Sequence, residues 1–216
     1  MILCIYGTGG LAKEVYDIVV RSSPTKYENI FFVNDYLPEG SFYMNKMIKF
    51  ESIGKNFDSI NAIEGIVAVG EPIHRELLSK RLETIGIKLA TIIDSTAIVS
   101  SSAKIGEGSI ICEYSTIHAD SCLGKSVLIQ SYCDIGHDII IGDYSVVSTG
   151  CTPGGGDIIG KRTYLGMNSS IKEKITIGDD VIIGMGAVVF QDIMDGATVV
   201  GNPARVTKGK KEHHVF

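Results

Sequence analysis

From Ile93 to Val189, every sixth residue is aliphatic: 16 of the 17 positions are Ile, Leu or Val, and Pro153 is the one exception. No insertion breaks the register. Glycine follows directly at 106, 124, 136, 142, 160, 166, 178 and 184. Four residues after an aliphatic position the side chain is usually small, as at Ala97, Ala103, Ser109, Ser115, Ser121, Cys133 and Ser145. An α-helix repeats near 3.6 residues and a strand at 2, so a beat of six matches neither. A short strand followed by a turn, repeated, does match it. This is the pattern of a parallel β-helix, in which each coil closes its core only by stacking on the next. The aliphatic residue points inward and the small one fits the corner.

The opening part of the chain has another rhythm. "ILCIYG", "NIFFVND" and "GIVAVG" read as strands, "LAKEVYDIVVRS" as an amphipathic helix, and "PIHRELLSKRLETIG" as a second helix opened by Pro72. Strand and helix alternate, which predicts a small parallel, Rossmann-like α/β domain over residues 1–86, with about three strands. "KLATIID" then leads into the first coil. The β-helix with its C-terminal cap is expected over 87–207, and a polar tail over 208–216.

Bulk properties narrow the function. Net charge is −5, and no basic stripe precedes the short "KGKKEHH" tail, which argues against a nucleic-acid partner. No apolar run approaches the ~20 residues needed to span a bilayer, and "MILCIYGTGG" lacks a basic start. A cytoplasmic protein with no membrane partner is expected. The five cysteines are scattered without a CxxC pair, so they read as reduced thiols and no metal site is expected. Cys133 and Cys151 should be buried in the prism.

Gly7-Thr8-Gly9-Gly10-Leu11-Ala12 lies between a strand and a helix and satisfies GxGxx(G/A), with Asp35 at the end of the next strand. Such a loop lets a phosphate approach the backbone, and the helix N-terminus supplies N–H donors. A full NAD site needs a larger doubly wound sheet than three strands provide. The favoured reading is a nucleotide or nucleotide-sugar phosphate site, and a purely structural turn is the plainer alternative.

His137 lies two residues after Ile135, so it projects outward from the prism; by position alone it would be a solvated surface histidine. Its surroundings are unusual. Asp138 follows it, and "CTPGGGDIIG" (151–160) brings three consecutive glycines next to the single break in the aliphatic register. Imidazole, with an unperturbed pKa of about 6.5, suits proton removal at neutral pH, and a carboxylate on its other nitrogen fixes the tautomer. The Gly154–Gly156 run could supply an N–H to an oxyanion. His118 reads as surface. His74 could approach a phosphate or face solvent, and His213 and His214 belong to the tail.

Taken together, "YGTGGLAKEV", "VND", "VAVGEPIHR", "GHDIIIGD", "YLGMNSSI" and "VVGNPA" resemble the nucleotide-sugar acetyltransferases of the hexapeptide-repeat superfamily. That group includes the bacillosamine-pathway, viosamine and perosamine N-acetyltransferases and the sialic acid O-acetyltransferases. The resemblance implies a left-handed coil, a homotrimer, acetyl-CoA between adjacent prisms and an amino-sugar nucleotide held by the N-terminal domain. It implies that His137 is the catalytic base and Asp138 the acid that raises its basicity. It places Gly155, Met167 and Met185 against acetyl-CoA, Gly9, Gly10 and Leu11 at the phosphates, Asn34 and Asp35 at the base or ribose, and Gly70 at the substrate.

Two positions depart from the group. Asn34 replaces a frequent Asp, and Val146 stands where some members have a coenzyme-contacting histidine. The expected reaction is direct N-acetylation of a UDP-, dTDP- or GDP-linked 4-amino-4,6-dideoxy sugar, without an acetyl-enzyme. The alternatives are O-acetylation of sialic acid or a related free sugar, a non-catalytic β-helix scaffold, and a metal-dependent hydratase. The last needs three gathered histidines, and the repeat offers only His118 and His137.

Overall fold

The computed structural model describes residues 1–43, 45–57, 59–207 and 215, so the expected tail lies outside the described residues apart from Val215. The N-terminal domain runs β1 (Ile2–Tyr6), α1 (Gly10–Ser22), β2 (Asn29–Val33), β3 (Gly40–Phe42), β4 (Asn45–Ile48), a short α2 (Ile53–Asn56), β5 (Ile63–Val67), α3 (Pro72–Thr84) and β6 (Lys88–Leu89). Its sheet has six strands in the order β3-β4-β2-β1-β5-β6, parallel except for the β3–β4 hairpin at one edge. The expectation of about three strands is therefore corrected: β3, β4 and β6 were not anticipated. β6 is two residues long, and the hairpin sequence "GSFYMNKMI" lacks a clean alternation, so neither carries a strong period-2 signal.

β1 is central and apolar on both faces because α1 covers one side and α3 the other. Leu3 and Ile5 pack towards α1 with Ala12, Val15, Ile18 and Val19. Cys4 and Tyr6 pack on the other side with Leu82 and Ile87. Gly7 has a φ of +136°, and a Cβ there would lie 2.6 Å from the Ala68 carbonyl oxygen, so only glycine fits the turn that ends β1.

The second domain is the expected left-handed β-helix. Two-residue strands stack in parallel at an 18-residue offset, for example Ile110 on Leu128 and Ile111 on Ile129. They build three faces: a first through 92–93, 110–111, 128–129, 146–147, 164–165 and 182–183; a second through 98–99, 116–117, 134–135, 152–153, 170–171 and 188–189; a third through 104–105, 122–123, 140–141, 158–159 and 176–177. The inward residues form one continuous core from Ile111 to Val199. Pro153 does not disturb the coil. It takes the inward position and stacks on Ile171, which is tolerated because only its missing N–H differs from an aliphatic residue there.

The N-terminal domain is fastened to the prism. α1 covers the first face, where the outward Ile92, Ile110, Leu128 and Val146 share one buried cluster with Ala12, Val15 and Ile18. α3 lies along the edge between the third and first faces. There the fully buried Arg75 donates to the carbonyls of Val67 (3.0 Å), Val69 (2.8 Å) and Ser126 (3.0 Å).

Candidate active site

The hexapeptide geometry builds the corner that holds His137. Ile135 is buried in the prism. Gly136 stacks under the next coil so tightly that a Cβ would lie 2.6 Å from both the Gly154 carbonyl carbon and the Gly155 nitrogen. His137 and Asp138 then turn the chain, with Asp138 in the left-handed region at φ 56° and Asn/Asp among the residues that tolerate it. The Asp138 N–H donates to the Ala119 carbonyl at 2.9 Å, and the Gly156 N–H donates to the His137 carbonyl at 2.8 Å.

The His137 side chain is 70% exposed, and its Nδ1 lies 2.7 Å from Asp138 Oδ2. A carboxylate can only accept, so this contact assigns the proton to Nδ1 and leaves the Nε2 lone pair open. Gly155, one coil above, keeps it open. A Cβ on Gly155 would lie 2.7 Å from Nε2, 2.9 Å from Cε1 and 3.1 Å from Cδ2. Within the glycine run the N–H groups divide. Gly154 donates to Asp157 Oδ2 at 2.8 Å and Gly156 to His137. Among the described residues the Gly155 N–H has no partner, which narrows the oxyanion candidate to one group.

The thiols sit elsewhere. Cys133 and Cys151 point into the core, with Sγ 3.1 Å from the Ser148 carbonyl and 2.9 Å from the Gly166 carbonyl respectively. Burial pushes the Cys133 thiol up to about 12 and the Cys151 thiol upward as well, so neither presents a thiolate. His118 Nε2 pairs with Asp134 Oδ1 at 2.8 Å. Among the described residues no cluster of three or more His, Cys, Asp or Glu is arranged to hold a metal, and no helix is long and apolar enough to cross a membrane.

The expected coenzyme residues are not gathered in one place. Gly155 shares the second–third edge with His137, whereas the exposed Met167 and Met185 lie on the first–second edge, a whole face away. Val146 is only 1% exposed and packs beneath α1. The position is outward on the prism, as the repeat demands, but the N-terminal domain covers that face, so no coenzyme reaches Val146 in this arrangement.

A cavity of about 560 Å³ opens at the C-terminal ends of β1 and β2, lined among others by Gly9, Asn34, Asp35, His74, Tyr36 and Arg81. Gly9 and Gly10 stand at the start of α1 with open space where a Cβ would be, so no packing demands glycine there. The vacant volume and the unpaired first-turn N–H groups favour an anion. The Leu11 side chain packs onto the α1 core, so only its backbone is offered. Gly70 follows Val69, which lines the cavity.

Asn34 is already engaged: its Nδ2 donates to Thr8 Oγ1, and its Oδ1 accepts the N–H groups of Tyr36 (2.8 Å) and Leu37 (2.9 Å). It braces the glycine loop against the end of β2. Asp35 accepts from the Tyr6 hydroxyl (2.6 Å), the Phe50 N–H (3.2 Å) and Arg81. Burial alone would raise its carboxyl, but these donors outweigh burial and hold it below the ordinary range. Arg81, which the sequence reading did not select, stacks over the Phe50 ring at 4.0 Å and presents a fixed guanidinium to the cavity. A signal was present: His74, Leu77, Leu78 and Arg81 fall at i, i+3, i+4 and i+7 on α3, and all four line the cavity.

Comparison with known proteins agrees with both halves. The PglD N-terminal domain matches residues 2–82, and the bacterial transferase hexapeptide (six repeats) matches 158–191. The acetyltransferase domain of PglB from Neisseria gonorrhoeae FA1090, solved with acetyl coenzyme A, is 30% identical at a TM-score of 0.89, covering 95% of this chain and 98% of that one. PerB from Caulobacter crescentus, solved with CoA and GDP-perosamine, is 25% identical at a TM-score of 0.85, covering 96% and 97%. Putative acetyltransferase YvoF from Bacillus subtilis (strain 168) is 40% identical over 48 residues, which is 22% of this chain and 28% of the relative. The chain thus spans only about a quarter of the length of the curated relatives it matches. Matched in domain order and along almost its full length by the PglB domain, the chain belongs to the hexapeptide-repeat acetyltransferases that carry a PglD-type N-terminal domain.

Proposed function

We propose that this chain transfers the acetyl group of acetyl-CoA to the amine of a nucleotide-linked 4-amino-4,6-dideoxy sugar, with His137 as general base. One observation carries the reading. The imidazole has Nδ1 tied to Asp138 while Nε2 faces the one place in the stack where a missing side chain leaves it room, at Gly155. A solvated histidine needs neither arrangement. Nε2 takes a proton from the sugar amine as its nitrogen attacks the thioester carbonyl, and Asp138 stabilises the resulting imidazolium; the tetrahedral intermediate then collapses with cleavage of the C–S bond, and the imidazolium returns its proton to the departing coenzyme A sulfur. The Gly155 N–H is the candidate donor to the developing oxyanion. The cavity lined by Gly7, Thr8, Gly9 and Arg81 takes the nucleotide diphosphate. PerB was solved with CoA and GDP-perosamine, which supports this substrate class.

The geometry also favours an assembly. No coil residue lines the cavity, and His137 stands on the edge opposite the face that α1 covers. Beside that edge the third face exposes Ile140 (50%) and Ile158 (48%), an apolar strip that a second copy would cover. A homotrimer with acetyl-CoA between neighbouring prisms would bring Met167 and Met185 of one copy towards His137 of the next. Coenzyme A release, measured with acetyl-CoA against UDP-, dTDP- and GDP-4-amino sugars and free sialic acid, tests the reading. Turnover with a nucleotide-linked amine supports it, and turnover with sialic acid alone overturns it in favour of O-acetylation.

A further inference from the structure

Asp157 is fully buried, and among the described residues no Lys, Arg or His side chain pairs with it. Its place in the coil is one that hydroxyls fill elsewhere. Ser109, Ser115, Ser121, Ser145 and Thr163 each donate to the carbonyl fifteen residues on. Four of those hydroxyls also accept the N–H eighteen residues on, at Val127, Cys133, Thr163 and Val181. A neutral group therefore suffices to stitch one coil to the next, and a buried carboxylate is an expensive substitute.

Asp157 does keep one rung of that ladder, since Oδ1 accepts the Ile175 N–H at 2.8 Å. Its second oxygen does something no hydroxyl in the series does. Oδ2 turns back to the Gly154 N–H, at 2.8 Å, in the turn that carries Gly155 past His137. A serine in this slot has a single oxygen, which in the other coils lies against the neighbouring coil, and it lacks the second oxygen that reaches back to Gly154. We propose that Asp157 is a positioning residue: by holding the Gly154 N–H it fixes the Gly154–Gly156 turn, so that the Gly155 backbone stays clear of Nε2 of His137 and its N–H stays available to the thioester oxygen. This rests on the acetyl-transfer reading above.

The charged groups around this corner are Glu173 and Lys174 on the coil above and His137, whose carbonyl accepts the Gly156 N–H. Burial first, and Glu173 to a lesser degree, raise the Asp157 carboxyl to about 6 against the pull of the Ile175, Gly154 and Lys174 N–H groups. The side chain is thus held at a cost to the fold, as expected where its geometry serves the site.

Asp157→Ser and Asp157→Asn separate the two roles. Wild type and both variants are assayed with acetyl-CoA and whichever UDP-, dTDP- or GDP-4-amino sugar the wild type accepts, with thermal melting and amide hydrogen exchange of residues 154–156 alongside. Asp157→Ser restores the hydroxyl ladder, so its melting temperature should equal or exceed that of the wild type. Its kcat should nevertheless fall by about tenfold or more, with KM for both substrates little changed and exchange at 154–156 accelerated about tenfold. Asp157→Asn, which keeps one acceptor oxygen, should lie between, and it serves if the serine variant does not fold. Full kcat in a folded variant, unchanged exchange at 154–156, or a kcat loss that merely follows a lower melting temperature would overturn the proposal. A wild type inactive on every sugar rejects the acetyl-transfer reading and this proposal with it. An active wild type with an equally active Asp157→Ser rejects this proposal alone.

Discussion

Gly155→Ala adds one methyl group, and the structure says where it goes: 2.7 Å from His137 Nε2 and 2.9 Å from Cε1. An ordinary contact needs about 3.5 Å or more, so the ring must retreat by close to 1 Å or swing away from Asp138. Either response is cheap for the fold. The imidazole is 70% exposed, so the cost is an off-rotamer torsion or one lost hydrogen bond, each about 1 kcal/mol. Gly155 does not require the left-handed backbone that its neighbour Gly156 adopts at φ 72°, so alanine adds no backbone strain. The melting temperature should therefore drop by no more than about 2–4 °C.

Catalysis should suffer far more, because Nε2 is the nitrogen the methyl group obstructs. A misplacement of about 1 Å can cost 10²-fold, and removal of a positioned base costs about 10²- to 10⁴-fold. The expected result is a kcat lower by about 10²- to 10³-fold in a folded protein, read as coenzyme A release under saturating substrates. Wild-type turnover in a folded Gly155→Ala would refute the argument, since it would mean that Nε2 is not where chemistry occurs. A collapse in stability would refute the packing half of it.

Four further outcomes follow from the same geometry. Asp138→Asn should lower kcat by about 10²-fold with little change in KM, because an amide no longer holds Nδ1–H or stabilises imidazolium; steady-state kinetics decide it. Arg81→Met should raise KM for the nucleotide sugar about tenfold with kcat nearly intact, as loss of a charged hydrogen-bonding group at the cavity predicts. With Cys133 and Cys151 buried and their thiols shifted upward, protein incubated with acetyl-CoA alone should show no acetyl adduct on cysteine by mass spectrometry. Asp157 gives a pH signature. Its folded-state pKa of about 6 lies above the ordinary carboxylate value of 3.8, so the folded state holds the proton more tightly and the contribution to stability falls as pH rises from about 4 to 6. The stability of wild type relative to Asp157→Ser should decline by up to about 3 kcal/mol across that window and level off above it, as denaturant titrations at each pH would show.

Much of the architecture was legible because a coil depends on its nearest neighbours alone. Ile135 inward, Gly136 at the tight stack and His137 outward all follow from position in the six-residue beat, and Pro153 obeys the beat in spite of its chemistry. α1 was legible from its apolar stripe, and α3 from the proline that opens it. The edge hairpin and β6 were not, because short strands at a sheet margin carry little periodic signal and are held by pairing with chain far away. Within the cavity, Asn34 and Asp35 were recognised as important by place, but their partners were not. Asn34 braces Thr8, and Asp35 anchors Arg81, a residue 46 positions later.

The division between the two sources of information has a physical basis. Periodicity determined a stacked coil, its inward residues and the outward place of His137, because those depend on interactions between neighbouring repeats; the left-handed, three-sided form of the coil was implied by the family resemblance and is shown by the structure. Tertiary structure decided what became of the outward residues. Docking of α1 on the first face turned Val146 from an expected coenzyme contact into core, while Ile140 and Ile158 on the third face stayed exposed. The open nitrogen of His137 was decided there too, by Gly155 one coil above and by Asp157 holding Gly154. Which outward side chain meets solvent, ligand or another domain is set by long-range packing, and no local beat encodes it.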